Sequence, residues 1–221
     1  MSPVETLTLP ATDGYPLGLR LFGGDAQGGP VVMVNGATAV AQRYYAPFAR
    51  WLEAHGATVI TYDYRGIGAS APASLRGFSG RARDWGQLDQ ESVLRFASSR
   101  FAGRPLVLVG HSIGGQLIGM AESNVRVARV LTVAAQVGTW RLWPGAARWA
   151  LAGLWYGLMP AVARLWGYVP GRLGIGEDLP RGVALEWASW CRHDDYFLGH
   201  GISRVGFERL TVPVLSCSLS D

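Results

Sequence analysis

One serine stands in a setting that suits nucleophilic catalysis, within the stretch 106–117 (LVLVGHSIGGQL). The apolar residues before it predict a buried strand, and the glycine-rich residues after it predict a helix. A serine on the sharp turn between such a strand and helix projects its hydroxyl above the edge of a sheet. Gly110 and Gly114 suit that turn because a Cβ atom at either position would collide across it. The pattern therefore predicts that Ser112 attacks a carbonyl carbon and forms an acyl-enzyme.

The same stretch admits a second interpretation, in which Ser112 is an incidental part of a glycine-rich turn. His111 directly precedes the serine, so its side chain is expected to point away from the Ser112 hydroxyl. We therefore assign His111 a packing role within the turn, and not the role of catalytic base.

The elements that would position this serine alternate between apolar strands and amphipathic helices. Predicted strands cover residues 4–10, 17–22, 30–36, 56–66, 104–110, 129–136 and 212–220, and predicted helices cover 42–54 and 85–101. Buried strands that alternate with helices predict an α/β fold, with a mostly parallel sheet and helices on both faces.

The alternation breaks at 138–209, which holds most of the tryptophans and no strand of the preceding type. We predict that this segment is a mostly helical cap, inserted before the last strand of a single domain that spans 1–221. Its tryptophans are expected to face the body of the protein and the pocket. The most apolar part, 149–163, is shorter than the ~20 residues of a membrane span, so we do not expect membrane contact.

Composition and charge exclude several classes of protein. The 221 residues are 49% hydrophobic and 16% charged, which is typical of an ordered globular protein and not of a disordered chain. The net charge is +4, but the arginines are scattered singly, so we expect no nucleic-acid partner. The oligomeric state stays open.

The cysteines bear on metal binding and on location. Cys191 and Cys217 form neither a metal-binding pattern nor a disulfide framework, and we expect neither a metal nor another cofactor. Cys217 lies in an apolar run and is expected to be buried. The N-terminus lacks the basic start and apolar core of a signal peptide, which favours a cytoplasmic location.

A second motif lies in the stretch 62–70 (YDYRGIGAS), which fits the pattern D-x-R-G-x-G-x-S. Together with G-H-S-I-G, this motif resembles the α/β-hydrolase family of serine hydrolases. Within that family the chain is similar to bacterial hydrolases of the serine aminopeptidase and lysophospholipase-like branch, whose cap region resembles the stretch 176–197. The resemblance covers essentially the whole chain and implies an α/β-hydrolase fold, but its motifs specify the substrate poorly. Asp63, in the turn after the fourth strand, is expected to be structural.

The resemblance also implies an oxyanion hole with two backbone donors. One donor is the N–H of the residue after the nucleophile, Ile113. The other comes from the loop 35–40 (NGATAV), where Ala37 is the donor by position and Thr38 is the next candidate. Many relatives carry His-Gly at the start of this loop and this chain carries Asn-Gly, a departure that matters little for a backbone donor.

The resemblance further implies an acid and a base that follow the serine, in the order serine, acid, histidine. The acid follows the strand after the cap, which indicates Asp221, with an ordinary turn aspartate as the alternative. The histidines, all upstream of the position that the fold gives to its base, are His55, His111, His193 and His200. We therefore expect that the chain is C-terminally truncated, before the last strand, the histidine loop and the last helix of the fold. The alternative base is His193 or His200, both within the predicted cap.

These expectations favour a serine hydrolase that cleaves an ester, thioester or amide bond through an acyl-enzyme on Ser112. The tryptophan and leucine content of the predicted cap favours a small-molecule substrate with an apolar portion. Because the histidine is missing, the 221-residue chain is expected to be inactive or nearly so. Two other functions stay open, namely a binding protein that kept the turn and lost the base, and an acyltransferase.

Overall fold

A seven-stranded sheet forms the centre of the computed structural model, which describes residues 2–24, 28–174 and 176–218. Within these residues the strands are β1 (Glu5–Pro10), β2 (Pro16–Phe22), β3 (Val31–Asn35), β4 (Thr58–Tyr62), β5 (Leu106–His111), β6 (Arg129–Val133), β7 (Tyr168–Val169), β8 (Leu179–Pro180) and β9 (Val214–Cys217). The main sheet has the order β1-β2-β4-β3-β5-β6-β9, and β7 and β8 form a separate antiparallel pair.

The sheet is mostly parallel, which confirms the prediction. Strands β4, β3, β5, β6 and β9 run parallel, and β2 and β1 extend the sheet through antiparallel pairings. Every residue of β3 and β4 is buried, as expected for apolar strands covered on both faces. The register pairs Asn35 with Gly110 and His111 with Val133, so the loops after β3, β5 and β6 leave the sheet at one edge.

Helices flank the sheet on both faces. They are α1 (Ala46–Ala54), α2 (Ala82–Asp84), α3 (Glu91–Arg100), α4 (Ile113–Gln116), α5 (Ala147–Gly153), α6 (Met159–Trp166), α7 (Arg181–Arg192) and α8 (Val205–Glu208), with π-helical segments at Trp85–Gln90 and Leu154–Leu158. One hydrophobic cluster joins Ala49 of α1 to Val32, whereas a second cluster joins Val93 of α3 to Met33. Because neighbouring residues of a strand face opposite sides, the two clusters cover the two faces of the sheet.

The helix after the predicted nucleophile is shorter than its sequence pattern suggests. It spans only Ile113–Gln116, and 3₁₀ turns at Ile118–Met120 and Glu122–Arg126 follow it. The glycines of this stretch lower its helix propensity. Gly119 also lies against the Phe207 ring, which occupies the space that a Cβ atom would need.

The segment 138–209 contains α5 to α8 and the β7–β8 pair, and no strand of the main sheet lies among its described residues. Trp155 and Trp190 are buried, as expected. The expectation of inward-facing side chains is wrong for the exposed residues Trp143, Trp149 and Trp166. Residues 141–150 are exposed throughout, so this part of the segment does not pack on the body. None of the helices in the described part of the chain has the length and hydropathy of a membrane span.

Strand β9 differs from the other parallel strands because all four of its residues are exposed. It pairs with β6 on one side and has no further neighbour in the described sheet. The prediction that Cys217 is buried is therefore wrong, since its side chain is exposed. The apolar run at 212–220 predicts β9 correctly. Burial of the strand also requires other elements that cover its two faces, and no element among the described residues covers them.

Candidate functional site

Ser112 lies at the turn between β5 and α4, in a backbone conformation that is rare for a residue with a side chain. Its φ is 52° and its ψ is −121°, and such strain costs ~1–3 kcal/mol. The Ser112 N–H donates to the Val133 carbonyl (2.9 Å), and the Gly115 N–H donates to the Ser112 carbonyl (3.0 Å). These two bonds hold the strained residue between the sheet and the helix, with its side chain half-buried.

The glycines on either side of Ser112 allow this turn to pack closely. A Cβ atom at Gly110 would lie 2.5 Å from the Cα atom of Gly115, and one at Gly114 would overlap the carbonyl oxygen of Asn35. Both positions are much closer than a van der Waals contact between non-bonded heavy atoms. The two glycines therefore permit the approach of the turn to β3 and the immediate start of α4.

Asn35, the last residue of β3, ties the loop after that strand to the turn. Its side chain is fully buried and donates to the Gly114 carbonyl (3.1 Å) and to Oε1 of Gln90 (3.0 Å). The Tyr62 hydroxyl donates to Oδ1 of Asn35 (2.8 Å). Sequence reasoning treats Asn35 only as a departure from relatives. The signal that identifies it is a polar side chain at the end of an entirely apolar strand.

The two predicted oxyanion donors differ in their availability. Ile113 is the first residue of α4, so its N–H has no acceptor inside the helix, and no side chain caps this end. The Ala37 N–H donates to the hydroxyl of Tyr45 (2.8 Å). The Ala37 amide is therefore not free to bind an oxyanion in this structure, in contrast to the expectation from its position in the loop.

The Tyr45 hydroxyl also lies 2.9 Å from Nδ1 of His111. Burial raises the pKa of Tyr45 to about 12 and lowers the pKa of His111, so both groups are neutral near pH 7. This neutral pair fits a hydroxyl that accepts from the Ala37 amide and donates to the imidazole. No described contact joins His111 to the Ser112 hydroxyl, although the two residues are neighbours in sequence.

The motif at 62–70 builds the loop after β4. The carboxylate of Asp63 accepts from the Gln42 backbone (2.6 Å) and side chain (2.9 Å) and from the Ala69 N–H (2.9 Å). Burial raises the pKa of Asp63, and these hydrogen bonds act against the rise. The carboxylate is thus surrounded by donors that fix the loop.

Arg65 of the same motif is buried and joins two carboxylates. Its Nε donates to Oδ1 of Asp89 (2.7 Å), its backbone N–H donates to Oδ2 of Asp89 (2.8 Å), and its Nη1 donates to Asp13 (2.7 Å). Burial raises the pKa of the fully buried Asp89 to about 7, and the Arg65 cation acts against this rise. The ion pairs connect the loop after β4 to the turn before β2 and to the π-helical segment.

A cavity of about 540 Å³ opens beside the turn that carries Ser112. Its walls include His111, Tyr44 and residues 39–41, together with Arg43 and Glu177, which form an ion pair. Among the described residues, no group of three or more potential metal ligands occurs.

The histidines give Ser112 no partner within the described structure. His193 and His200 lie side by side, with ring centroids 5.6 Å apart, and His55 follows the last residue of α1. Within the described ranges, no histidine forms a hydrogen bond with the Ser112 hydroxyl. Asp221, the predicted acid, lies outside the described residues.

Known proteins resemble this chain in sequence over part of its length. The family model of the serine aminopeptidase S33 hydrolases matches residues 26–169. A curated relative, the polyketide transferase grgF of a Penicillium species, is 31% identical over 140 residues, which are 60% of this chain and 44% of the relative. The matched part of the chain therefore spans less than half of that relative's length.

Solved structures with the same fold extend over nearly the whole chain. The α/β hydrolase GrgF from a Penicillium species is 20% identical, with a TM-score of 0.57 over 99% of this chain and 91% of that chain. An esterase from Exiguobacterium antarcticum is 19% identical, with a TM-score of 0.60 over 96% of this chain and 80% of that chain. A monoglyceride lipase variant from Saccharomyces cerevisiae is 14% identical, with a TM-score of 0.58 over 99% of this chain and 86% of that chain. With this fold and the match over residues 26–169, the chain belongs to the serine aminopeptidase S33 family of α/β hydrolases.

Proposed function

We propose that this chain is a serine hydrolase that cleaves an ester, thioester or amide bond through an acyl-enzyme on Ser112. The observation that carries the proposal is the strained conformation of Ser112, with a φ of 52°. A residue other than glycine keeps such a conformation only where its surroundings enforce it, and such residues cluster at active sites. Membership of a hydrolase family supports the same conclusion.

The proposed reaction has two parts. The Ser112 hydroxyl oxygen attacks the carbonyl carbon of the substrate while a base takes the hydroxyl proton, and the carbonyl electron pair moves onto oxygen. This oxyanion accepts a hydrogen bond from the Ile113 amide. The oxyanion then re-forms the carbonyl, the leaving group takes the proton from the base, and the acyl group stays on Ser112. Attack by water in the same way releases the acid and the free serine.

The base in this proposal is a histidine from outside the 221 residues. All four histidines of the chain lie among the described residues, and none of them bonds to Ser112. The Tyr45 hydroxyl engages Nδ1 of His111, and the Asp195 N–H donates to Nδ1 of His193 (3.1 Å). Without a base, the Ser112 hydroxyl keeps its proton, so we propose that the chain by itself is nearly inactive.

Asp221 is the proposed partner of that base. Strand β9 ends at Cys217, which pairs with Val133 of β6. The carbonyl of Val133 accepts the Ser112 N–H, so the chain leaves β9 at the sheet edge that carries Ser112. This direction of the chain supports Asp221 as the acid, four residues further along.

The cavity beside the turn supports a substrate with an apolar portion. Alanine, valine and tyrosine side chains form much of its wall, at residues 39–41 and 44. Gly176 and Glu177 line the same cavity, and the Glu177 N–H donates to the Ala39 carbonyl (2.7 Å). We therefore propose that the segment 138–209 acts as a cap that closes the pocket and selects the acyl group.

The test is turnover of p-nitrophenyl butyrate by the 221-residue chain, with and without imidazole as an external base. We expect turnover near background without imidazole and Ser112-dependent turnover with it, because a small base can replace a missing histidine side chain. Ser112→Ala is the control for the hydrolysis that imidazole causes in solution. Full Ser112-dependent turnover without imidazole would contradict the missing base and direct attention to His193 and His200. Binding of the ester without turnover in either condition would favour a binding protein.

A second candidate function is acyl transfer to an alcohol or amine instead of water. The observation that favours it is the 31% identity to a relative named as a polyketide transferase. The same acyl-enzyme on Ser112 serves both reactions, and only the acceptor differs. With imidazole present, product analysis in the presence of an added alcohol separates the two: formation of the new ester supports transfer, and formation of the free acid alone supports hydrolysis.

A further inference from the structure

We propose that His111 binds the substrate, with its Nε2–H donating a hydrogen bond to a second carbonyl oxygen in the acyl group that occupies the cavity beside Ser112. Tyr45 is a positioning residue that holds the imidazole in the tautomer with this hydrogen. The inference rests on the proposed function and names a substrate class for it, namely acyl groups that carry a keto oxygen. It gives a binding role to a side chain that the sequence predicts only to pack.

The hydrogen bonds around Tyr45 determine which nitrogen of His111 carries the hydrogen. The Ala37 N–H donates to the Tyr45 hydroxyl (2.8 Å), and this hydroxyl lies 2.9 Å from Nδ1 of His111. The Tyr45 side chain is buried, and the described residues offer its hydroxyl hydrogen no acceptor other than Nδ1. A buried donor without an acceptor costs free energy, so the Tyr45 hydroxyl donates to Nδ1.

The hydrogen of the imidazole is therefore on Nε2. Burial lowers the pKa of His111, which keeps the ring neutral near pH 7. A neutral imidazole has a single N–H, and its nitrogen without hydrogen is the acceptor. Because Nδ1 accepts from Tyr45, Nε2 is the donor, and the buried hydroxyl fixes this tautomer.

The Nε2 atom of His111 is open to the cavity. The His111 side chain is half-buried and forms part of the cavity wall. Nε2 has no hydrogen-bond partner among the described residues, and it is not one of the buried side-chain atoms that lack a partner. An atom without a partner that is not enclosed can be reached from outside the protein. His111 thus presents a fixed donor to a ligand in the cavity.

The other walls of the cavity favour an apolar chain around this donor. Alanine and valine at 39–41 form one wall, and Arg43 and Glu177 are paired with each other. Arg43 and Tyr44 are exposed, whereas His111 is half-buried. Because a hydrogen bond is stronger where less water surrounds it, the donor on His111 contributes most to binding. The cavity therefore suits an apolar acyl group with one neutral acceptor oxygen.

His111 and Ser112 are held by the same neighbouring strand. His111 pairs with Val133 of β6, and the Ser112 N–H donates to the Val133 carbonyl (2.9 Å). Consecutive Cα atoms lie ~3.8 Å apart, so an acyl chain of about four or five carbon atoms on Ser112 is long enough to bring a keto oxygen to Nε2. The distance thus selects short acyl groups with the second oxygen at the third or fourth carbon.

The experiment measures the binding of methyl esters to the Ser112→Ala protein, which forms no acyl-enzyme, by NMR titration. Methyl acetoacetate and methyl levulinate carry the keto oxygen, and methyl butyrate and methyl pentanoate are the matched esters without it. The keto preference is the Kd of the plain ester divided by the Kd of its keto partner.

Substitutions of His111 in the Ser112→Ala protein test the donor. His111→Asn keeps a polar atom for Tyr45 but has no atom at the position of Nε2, so we expect the keto preference to fall about tenfold for the keto ester that fits better. His111→Gln reaches further with its amide donor and should retain most of the preference. His55→Asn, at an exposed position after α1, is the matched control and should not change it. Thermal unfolding of each variant shows that it is folded.

Nitrogen NMR of the labelled imidazole tests the role of Tyr45. We expect the hydrogen on Nε2 of His111 in the Ser112→Ala protein, with the signal assigned by its loss in His111→Asn. Tyr45→Phe removes the donor to Nδ1, so the tautomer with hydrogen on Nδ1 should become populated and the keto preference should fall. Loss of a merely structural hydroxyl would leave the tautomer unchanged.

The outcomes distinguish this inference from the proposed function. An equal keto preference with His111 and with Asn at this position would overturn the role of His111 and leave the proposed function in place. Hydrogen on Nδ1 before any change at Tyr45 would overturn the role of Tyr45. A keto preference that depends on His111, in a chain without Ser112-dependent turnover, would overturn the proposed function and leave His111 as a ligand-binding residue. Binding of none of the esters would overturn the cavity as the acyl site, and this inference with it.

Discussion

The strands on the two sides of β5 differ in how deeply they are buried in the described structure. On the enclosed side, nearly all residues of β2, β4 and β3 are buried, and only the edge strand β1 is largely exposed. On the open side, which comprises β6 and β9, one residue of β6 is buried and every residue of β9 is exposed. Ser112 lies at the boundary, because β5 pairs with β3 on one side and with β6 on the other.

This difference separates what holds Ser112 in place from what would activate it. The enclosed side contributes Asn35, the loop 35–40 and the ion pairs of Arg65, all of them fixed by hydrogen bonds. The open side contributes the Val133 carbonyl and leads to Asp221, the proposed acid. We therefore expect changes on the enclosed side to affect folding, and changes on the open side to leave folding largely intact.

Removal of Arg65 should have the largest effect on stability. Arg65→Ala leaves the fully buried Asp89 without its cation, and removal of one partner of a buried ion pair costs ~3–5 kcal/mol. Urea-induced unfolding, followed by circular dichroism, measures the loss. Arg129→Ala on the open side is the matched control, because Arg129 is exposed and should change the free energy of unfolding by less than ~0.5 kcal/mol. Equal losses in the two variants would remove the distinction between the sides.

A methyl group at Gly114 should have the next largest effect. Gly114→Ala places a Cβ atom on the Asn35 carbonyl oxygen, and such overpacking costs ~1–3 kcal/mol. Because the overlap also displaces the Ser112 turn, Gly114→Ala should lower the turnover measured in the presence of imidazole as well as the stability. Gly157→Ala is the control, since its Cβ atom would meet nothing within 4 Å and it lies in a helical segment. Gly157→Ala should therefore stabilise the protein by ~0.5–1 kcal/mol. A loss of stability in Gly157→Ala as large as that in Gly114→Ala would contradict this prediction.

Acid should weaken the packing of α3 through Glu91. Its buried carboxylate accepts from the Ser123 N–H (2.7 Å) and from Nε of Arg95 (2.6 Å). Burial raises the pKa of Glu91, but these bonds outweigh it and hold the pKa below its usual value of 4.5. The stabilisation is therefore fully present above pH 4.5 and is lost as the pH falls through the lowered pKa.

We expect this loss to appear as a fall in Tm when the pH drops below about 4.5. Thermal unfolding of the parent and of Glu91→Gln across this pH range measures it. The fall should be smaller in Glu91→Gln, where residue 91 no longer titrates. An identical fall in both proteins would assign the acid sensitivity to other carboxylates.

A polar substitution on β9 should have the smallest effect on stability. Leu215 is exposed, so Leu215→Thr should change the free energy of unfolding by no more than ~0.5 kcal/mol. An exposed apolar edge strand invites association, so light scattering should fall in the same variant. Leu108→Thr, at a fully buried position of β5, is the control and should be far more destabilising. If Leu215→Thr were equally harmful, β9 would be covered in solution.

The strands and the Ser112 turn could be predicted because their signals are local. Every predicted strand overlaps a strand of the main sheet, since runs of apolar residues bounded by turn residues specify both type and position. The glycines around Ser112 likewise act on atoms within a few residues of themselves, or on the adjacent strand. The family resemblance adds the fold and its element order, which the match over residues 26–169 supports.

The features that sequence reasoning missed depend on tertiary contacts. The bond between the Ala37 amide and the Tyr45 hydroxyl joins residues that are close in sequence, but it requires the residues just before α1 to fold back beneath the loop after β3. The exposure of Cys217 and Trp149 depends on which elements cover them, and hydrophobicity alone does not report this. The role of Asn35 becomes visible only when β3 and the turn after β5 are in contact.

The most direct test of the central claim is the site at which a fluorophosphonate binds covalently to the 221-residue chain, mapped by peptide mass spectrometry. We predict one adduct per chain, on Ser112, which forms slowly without added base and faster with imidazole. Ser112→Ala should form no adduct under either condition. An adduct on another residue, or an equal amount of adduct in Ser112→Ala, would contradict the assignment of Ser112 as the nucleophile.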